Sequence, residues 1–294
     1  MARSSRRASR PSRWTESLST LEAILLGVVQ GLTEFLPVSS SAHLRIVPAM
    51  YGGEDPGAAF TAIVQLGTMA AELAFFRHDI VRIVRATARS LRSRRVRGDV
   101  DARLGWFIII GTIPISVFGL GFEGSIETSA RNLTLIGSTL ILLGLVLFAA
   151  EKVGRRIRPL ERIRTRDGLT MGLAQALALV PGVSRSGATI SAGLFLGLER
   201  VAAARFSFLL SIPAVVLSGV FQLVSLITGG ADASGADPGW AALAIATLLA
   251  FVSGYAAIGF LLRYLATHTV NIFVVYRIAL GSLVLVLVGT GAIA

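Results

Sequence analysis

Four stretches of this chain carry no charged side chain for about the thickness of a lipid bilayer, and no other feature limits its fold as strongly. They cover positions 104–122, 132–150, 206–231 and 239–262. Crossing a hydrocarbon core of ~30 Å takes about 20 apolar residues at 1.5 Å rise each. A soluble domain can bury many apolar side chains, but it interrupts them with surface charges. Here only 15% of the 294 residues are charged, against roughly 25% in ordinary globular domains. Inside lipid a helix satisfies its backbone groups within itself, so the chain reads as an all-α polytopic membrane protein. It contains no cysteine, which excludes disulfides, thiolate nucleophiles and cysteine-ligated metals.

The net charge of +11 could suggest a nucleic-acid partner, but its placement argues for a membrane and against nucleic acid. Arginines crowd the N-terminal tail and two segments read as loops, 77–103 and 152–166, while the connections at 123–131 and 232–237 are neutral or acidic. That is positive-inside asymmetry, with anionic lipid as the natural neighbour of the basic segments. Both basic segments are therefore placed in the cytoplasm. The Arg/Ser-rich tail, 1–17, has no apolar core ending in a small-residue cleavage site, so it does not read as a signal peptide. It is expected to be disordered.

Six segments read as full spans: 57–76, 104–122, 132–150, 205–228, 239–263 and 269–292. Two further apolar stretches, 19–50 and 168–199, are broken by Leu36-Pro37-Val38-Ser39-Ser40-Ser41 and by Pro181-Gly182-Val183-Ser184-Arg185-Ser186-Gly187. Proline removes a helical donor and clashes with the preceding turn, and each half is too short to cross alone. Unwound backbone survives at membrane depth only when protein or a water-filled cavity covers it. Both stretches are thus expected to be re-entrant helix–loop–helix hairpins. A shift of 145 positions sets Gly27 on Gly172, Gln30 on Gln175, Val38 on Val183, Ser39 on Ser184 and Ser41 on Ser186. The expected architecture is a single membrane domain, 18–294, built from two inverted halves, 18–150 and 168–294, joined by a basic cytoplasmic loop. Such repeats place broken loops face to face near mid-membrane. With six spans and both basic segments inside, the tail falls outside, against the same charge rule.

Ionisable groups within membrane segments are costly and are functional candidates by default. In the first hairpin these are Glu34, His43 and Arg45; in the second, Arg185. Gln30 and Glu34 share one helix face leading into the serine loop. His43 follows Ser40 by three positions, within reach for an acid–base pair. The Pro181–Thr189 stretch has the composition of a phosphate cradle: glycine-exposed amides, hydroxyls and a helix start, with Arg185 able to bind two phosphate oxygens. Arg277, inside the last span, reads as a second phosphate contact or as the partner of a buried carboxylate. Glu72, near the end of its span beside Arg77, reads as an interfacial ion pair.

These residues resemble a known family. The run Gly27-Val28-Val29-Gln30-Gly31-Leu32-Thr33-Glu34-Phe35-Leu36-Pro37-Val38-Ser39-Ser40-Ser41-Ala42-His43 is similar to the first signature of the bacitracin-resistance type of undecaprenyl-diphosphatase, and PGVSRSGAT at 181–189 to its second. The resemblance implies hydrolysis of undecaprenyl diphosphate to the monophosphate, which recycles the lipid carrier of cell-wall polymers, and competition with bacitracin for that lipid. It implies a multi-pass protein of the bacterial plasma membrane with a site open to the extracytoplasmic side, and it leaves room for a homodimer. Residue by residue, it assigns Gln30 and Glu34 to an acidic pair, Ser40 and His43 to a catalytic loop, and Arg185 to an essential arginine. Ser39, Ser41, Ser184, Ser186 and Thr189 become hydroxyls around the phosphates. Gln30 departs from the pattern, because many members carry glutamate there.

The mechanism expected at this stage is in-line attack by Ser40 with His43 as general base. Glu34 would orient His43 or bind a divalent cation, Mg²⁺ or Ca²⁺. Direct attack by His43 or by water fits the same residues. The rival class is a polyprenyl-lipid flippase or small-solute transporter, since inverted repeats with broken helices also build transporters.

Overall fold

A computed structural model of the chain describes residues 19–53, 55–121, 132–227 and 239–293. The N-terminal tail and the two neutral or acidic connections, 123–131 and 232–237, lie outside the described residues. Eleven α-helices are described: α1 (Thr20–Phe35), α2 (Ser40–Met50), α3 (Gly57–Phe75), α4 (Arg77–Arg92), α5 (Val100–Gly121), α6 (Leu133–Val153), α7 (Thr165–Ala176), α8 (Arg185–Phe195), α9 (Arg200–Ile227), α10 (Trp240–Thr267) and α11 (Asn271–Gly289). Five of these, α5, α6, α9, α10 and α11, are long and apolar enough to cross a membrane. The remaining expected span is α3, whose apolar part, Phe60–Phe75, is shorter than that.

Both broken stretches fold as the proline and serine clusters require. Helix α1 opens with a capping box between Ser19 and Glu22, which satisfies two amides that the first turn leaves free. It ends at Phe35, and α2 restarts at Ser40. In the second stretch α7 passes through a short 3-10 turn, Leu177–Leu179, before α8 begins at Arg185. The arms of each hairpin pack on each other.

The halves exchange arms. Helix α1 packs on α10, the long helix of the opposite half, and α7 packs on its counterpart α5. Likewise α3 lies on α10 and α9 on α5, while α6 and α11 pair with each other. Helix pairs in lipid gain from close backbone approach at small residues, and glycines allow it here. A Cβ on Gly27 would lie 2.5 Å from the Ala246 carbonyl oxygen of α10, and one on its repeat partner Gly172 would strike Gly111 of α5.

The first basic segment is not a loop. Helix α4 sets Ile83, Ala86 and Ser90 into the protein, and Trp106 of α5 donates to Ser90 Oγ at 3.0 Å. A 3.6-residue apolar period among arginines was legible as an amphipathic helix, but charge density alone suggested a loop. The second basic segment is tied down by buried carboxylates. Asp167 pairs with Arg158 at 2.5 Å, and Glu151 pairs with Arg156 and Arg200.

Candidate active site

The two broken loops carry the same backbone device. Ser39 has φ 76° and ψ 101°, and Ser184 has φ 69° and ψ 114°. Such angles are sparsely populated by side-chain-bearing residues and cost of order 1–3 kcal/mol. The two serines are 145 positions apart, and each starts an 11-residue helix. Their hydroxyls lie 3.2 Å from those of Ser41 and Ser186 respectively. The sequence repeat is therefore also a repeat of backbone geometry.

Chemistry converges on one carboxylate. Phe35, edge-on to Phe208 at 5.7 Å, anchors the end of α1 and so fixes its neighbour Glu34. Ser40 Oγ donates to Glu34 Oε2 at 2.5 Å, and Arg185 Nη2 meets Oε1 at 3.1 Å. Gln30 Nε2 adds a bond to Oε2 at 3.2 Å. Ser40 and Arg185 are themselves 145 positions apart. The serine of one loop and the arginine at the same place in the other thus share Glu34. Arg185 Nη1 is buried without a hydrogen-bond partner, a charged donor whose bonding capacity is unused.

The expected pair of Ser40 with His43 is not what forms. His43 Nδ1 lies 2.7 Å from the Ser39 carbonyl oxygen, and Nε2 lies 2.6 Å from Tyr276 Oη. The partner of Ser40 is Glu34. Sequence spacing puts Ser40 and His43 one turn apart on α2, but it does not reveal a hydroxyl arriving from α11. Tyr276 was the missed residue. Its only sequence signal was a polar Tyr276-Arg277 pair inside an otherwise apolar span.

Arg277 corrects another expectation. It is 0% exposed and reaches no carboxylate among the described residues. Its guanidinium donates to the carbonyl oxygens of Pro37 (3.2 Å), Gly182 (3.0 Å), Val183 (3.1 Å), Thr139 (3.4 Å) and Leu140 (3.2 Å). Pro37 and Gly182 are equivalent in the repeat, so one buried cation grips the same carbonyl in both loops. Arg277 is a clamp behind the site and not an open phosphate contact. Ser186 adds a cross-loop bond, donating to the Leu36 carbonyl at 3.0 Å.

The chain is also similar to known proteins over most of its length. The family model described as bacitracin resistance protein BacA matches residues 23–283. This chain belongs to the BacA family. It is 54% identical over 274 residues to a protein of a Nocardioides species named undecaprenyl-diphosphatase, covering 93% of this chain and 98% of the relative. It is 53% identical to proteins of the same name from Mycolicibacterium smegmatis, over 94% of this chain and 99% of the relative, and from Myxococcus xanthus, over 93% and 91%.

The other expected site residues of this BacA-family chain divide into those at the opening and those behind it. Ser40 is half-buried and Ser41 exposed. Ser184 is committed to capping α8 through the Gly187 amide at 3.2 Å. Thr189 does not line the cradle: it is 0% exposed and bonds to the Arg185 carbonyl and Ser207 Oγ at 2.7 and 2.5 Å. Arg45 pairs with Asp55 at 3.7 Å. Glu72 is no interfacial ion pair. It is buried and accepts from Ser211 Oγ at 2.6 Å, while Arg77 turns to the Ala74 carbonyl.

The donor set does not fit a tightly caged divalent ion. Mg²⁺ and Ca²⁺ take six or more oxygen ligands. Both oxygens of Glu34 already hold Arg185, Ser40 and Gln30. Among the described residues no group of three or more His, Asp or Glu gathers there.

Proposed function

We propose that this multi-pass membrane protein hydrolyses undecaprenyl diphosphate to undecaprenyl phosphate and inorganic phosphate. The observation that carries the reading is a serine hydroxyl and an arginine bound to opposite oxygens of one carboxylate, at 2.5 and 3.1 Å. That arrangement suits phosphoryl transfer, where catalysis is mostly positioning and charge stabilisation. The names of the relatives supply the lipid.

In the first step Glu34 takes the Ser40 proton as Oγ attacks the terminal phosphorus. The bridging P–O bond breaks and undecaprenyl phosphate leaves. Arg185 shifts from Glu34 to the phosphate oxygens, with its unpartnered Nη1 as the first donor. In the second step water attacks phospho-Ser40, its proton passes toward His43, and Glu34 returns its proton to Ser40 Oγ. A Mg²⁺ or Ca²⁺ ion on this reading belongs to the diphosphate it neutralises, and no step above requires a protein cage for it.

The halves are proposed to be inverted across the bilayer, with the site open to the extracytoplasmic side, where bacitracin would compete for the lipid. The test is phosphate release from undecaprenyl diphosphate by purified protein in detergent, beside Arg185→Ala and His43→Ala. Release that collapses in both variants supports the reading. Well-folded wild type that releases none, with or without divalent ions, overturns it in favour of lipid transport.

A further inference from the structure

His43 cannot receive a proton directly from the site as the side chains stand. The ring is only 5% exposed. Nδ1 faces the Ser39 carbonyl at 2.7 Å, and a carbonyl only accepts, so Nδ1 carries a hydrogen. In the neutral ring Nε2 is then the acceptor, and its single lone pair is occupied by Tyr276 Oη at 2.6 Å. The two rings are nearly parallel, 6° apart with centroids at 5.6 Å. Tyr276 itself is 44% exposed. Of the two residues Tyr276 is the accessible one and His43 the buried one.

We infer that Tyr276 is a further catalytic residue, the proton relay between the attacking water and His43. The inference rests on the two-step reading above. In the second step the water oxygen bonds to phosphorus while one water proton moves to Tyr276 Oη. The phenol proton moves at the same time to His43 Nε2, giving imidazolium and leaving Tyr276 neutral. The Ser40 Oγ–P bond breaks, and Oγ regains its proton from Glu34. The Ser39 carbonyl remains the acceptor for Nδ1–H throughout, which favours the charged ring once it forms. When the imidazolium relaxes, its proton leaves by the reverse path through the phenol. No co-reactant other than water is consumed.

A merely structural tyrosine would hold His43 by the hydrogen bond and by stacking; phenylalanine keeps only the stacking, whereas fluorinated tyrosines keep both. The test is Tyr276→Phe together with fluorinated tyrosines incorporated at position 276, which keep the ring and change the acidity of the hydroxyl. General acid–base contributions run at about 10²–10⁴-fold. Tyr276→Phe is expected to lower kcat about 100-fold with KM within about twofold, and to accumulate phospho-Ser40, because only the second step needs the relay. The fluorinated series is expected to change kcat in step with phenol acidity. A Tyr276→Phe protein with kcat within about twofold of wild type overturns the relay, and so does a flat fluorinated series. If kcat tracks phenol acidity but no variant forms phospho-Ser40, the relay stands and the serine step fails.

Discussion

Replacing Arg277 with methionine separates a clamp from a substrate contact. Methionine fills much of the volume but donates nothing. The carbonyls of Thr139 and Leu140 lie within helix α6. Those of Pro37, Gly182 and Val183 lie in the broken loops and receive Arg277 at 3.0–3.2 Å. Leaving a buried acceptor unmatched costs about 1–3 kcal/mol, so three give a gross loss of about 3–9 kcal/mol. Removing the desolvated guanidinium returns a few kcal/mol of that, which leaves a net loss of about 3 kcal/mol, and about 6 kcal/mol at most. At roughly 2–4 °C per kcal/mol, the melting temperature in detergent should fall on the order of 10 °C. The assay is thermal unfolding followed by size-exclusion of the soluble fraction, with phosphate release measured on the folded material. Arg277→Lys should fall between, since one ammonium has three donors. A methionine variant that melts within about 2 °C of wild type while losing phosphate release would refute the clamp and make Arg277 a phosphate ligand.

Three more outcomes follow from the same geometry. Glu34→Gln removes the acceptor for the Ser40 proton and should reduce kcat by at least about 100-fold, and an unchanged kcat in steady-state phosphate release would remove Glu34 as the base. Thr189→Val, at a hydroxyl bonded to Ser207 and to the Arg185 carbonyl, should cost about 1–2 kcal/mol of stability and leave KM within about twofold; a large rise in KM would return Thr189 to the phosphate cradle. Gly172→Val should separate α7 from α5, because even a Cβ there meets the Gly111 backbone. Unfolding titrations should show a loss of several kcal/mol, as for overpacked cores, and a neutral result would contradict the close approach.

Much of the fold was legible because lipid enforces it. The four charge-free runs become α5, α6, α9 and α10, the apolar stretch around Arg277 becomes α11, and Pro37 and Pro181 mark the breaks. The shift of 145 pairs Ser39 with Ser184, and the structure gives the two the same backbone conformation. What spacing could not supply was partnership across the fold. Ser40 and His43 are neighbours in sequence, yet Glu34 reaches one and Tyr276 the other. Thr189 belongs to the signature motif, but one turn into α8 its hydroxyl faces α9 and not the loop. Arg277 and Glu72 were visible as costly charges at depth. Their roles depended on which backbone carbonyl or hydroxyl lay opposite, and periodicity carries no such information.

The repeat also shows how one arrangement was made asymmetric. Positions 40 and 185 are equivalent, one serine and one arginine, and both turn to Glu34, whose own counterpart is Leu179. His43 likewise corresponds to Ala188. On the proposed reading one loop holds the attacking serine and the other contributes the cation, while Arg277 donates to carbonyls of both loops.

The central claim is that Ser40, with Glu34 as its base, attacks the terminal phosphorus. The most direct measurement is acid quench of the enzyme turning over undecaprenyl diphosphate labelled on its terminal phosphate, followed by mass spectrometry of the peptide containing Ser40. The account predicts label on Ser40 within the first turnover, a larger fraction in His43→Ala, and none in Ser40→Ala, which should also release no phosphate. Continued phosphate release with no label on Ser40 in either wild type or His43→Ala would contradict it and place water as the nucleophile.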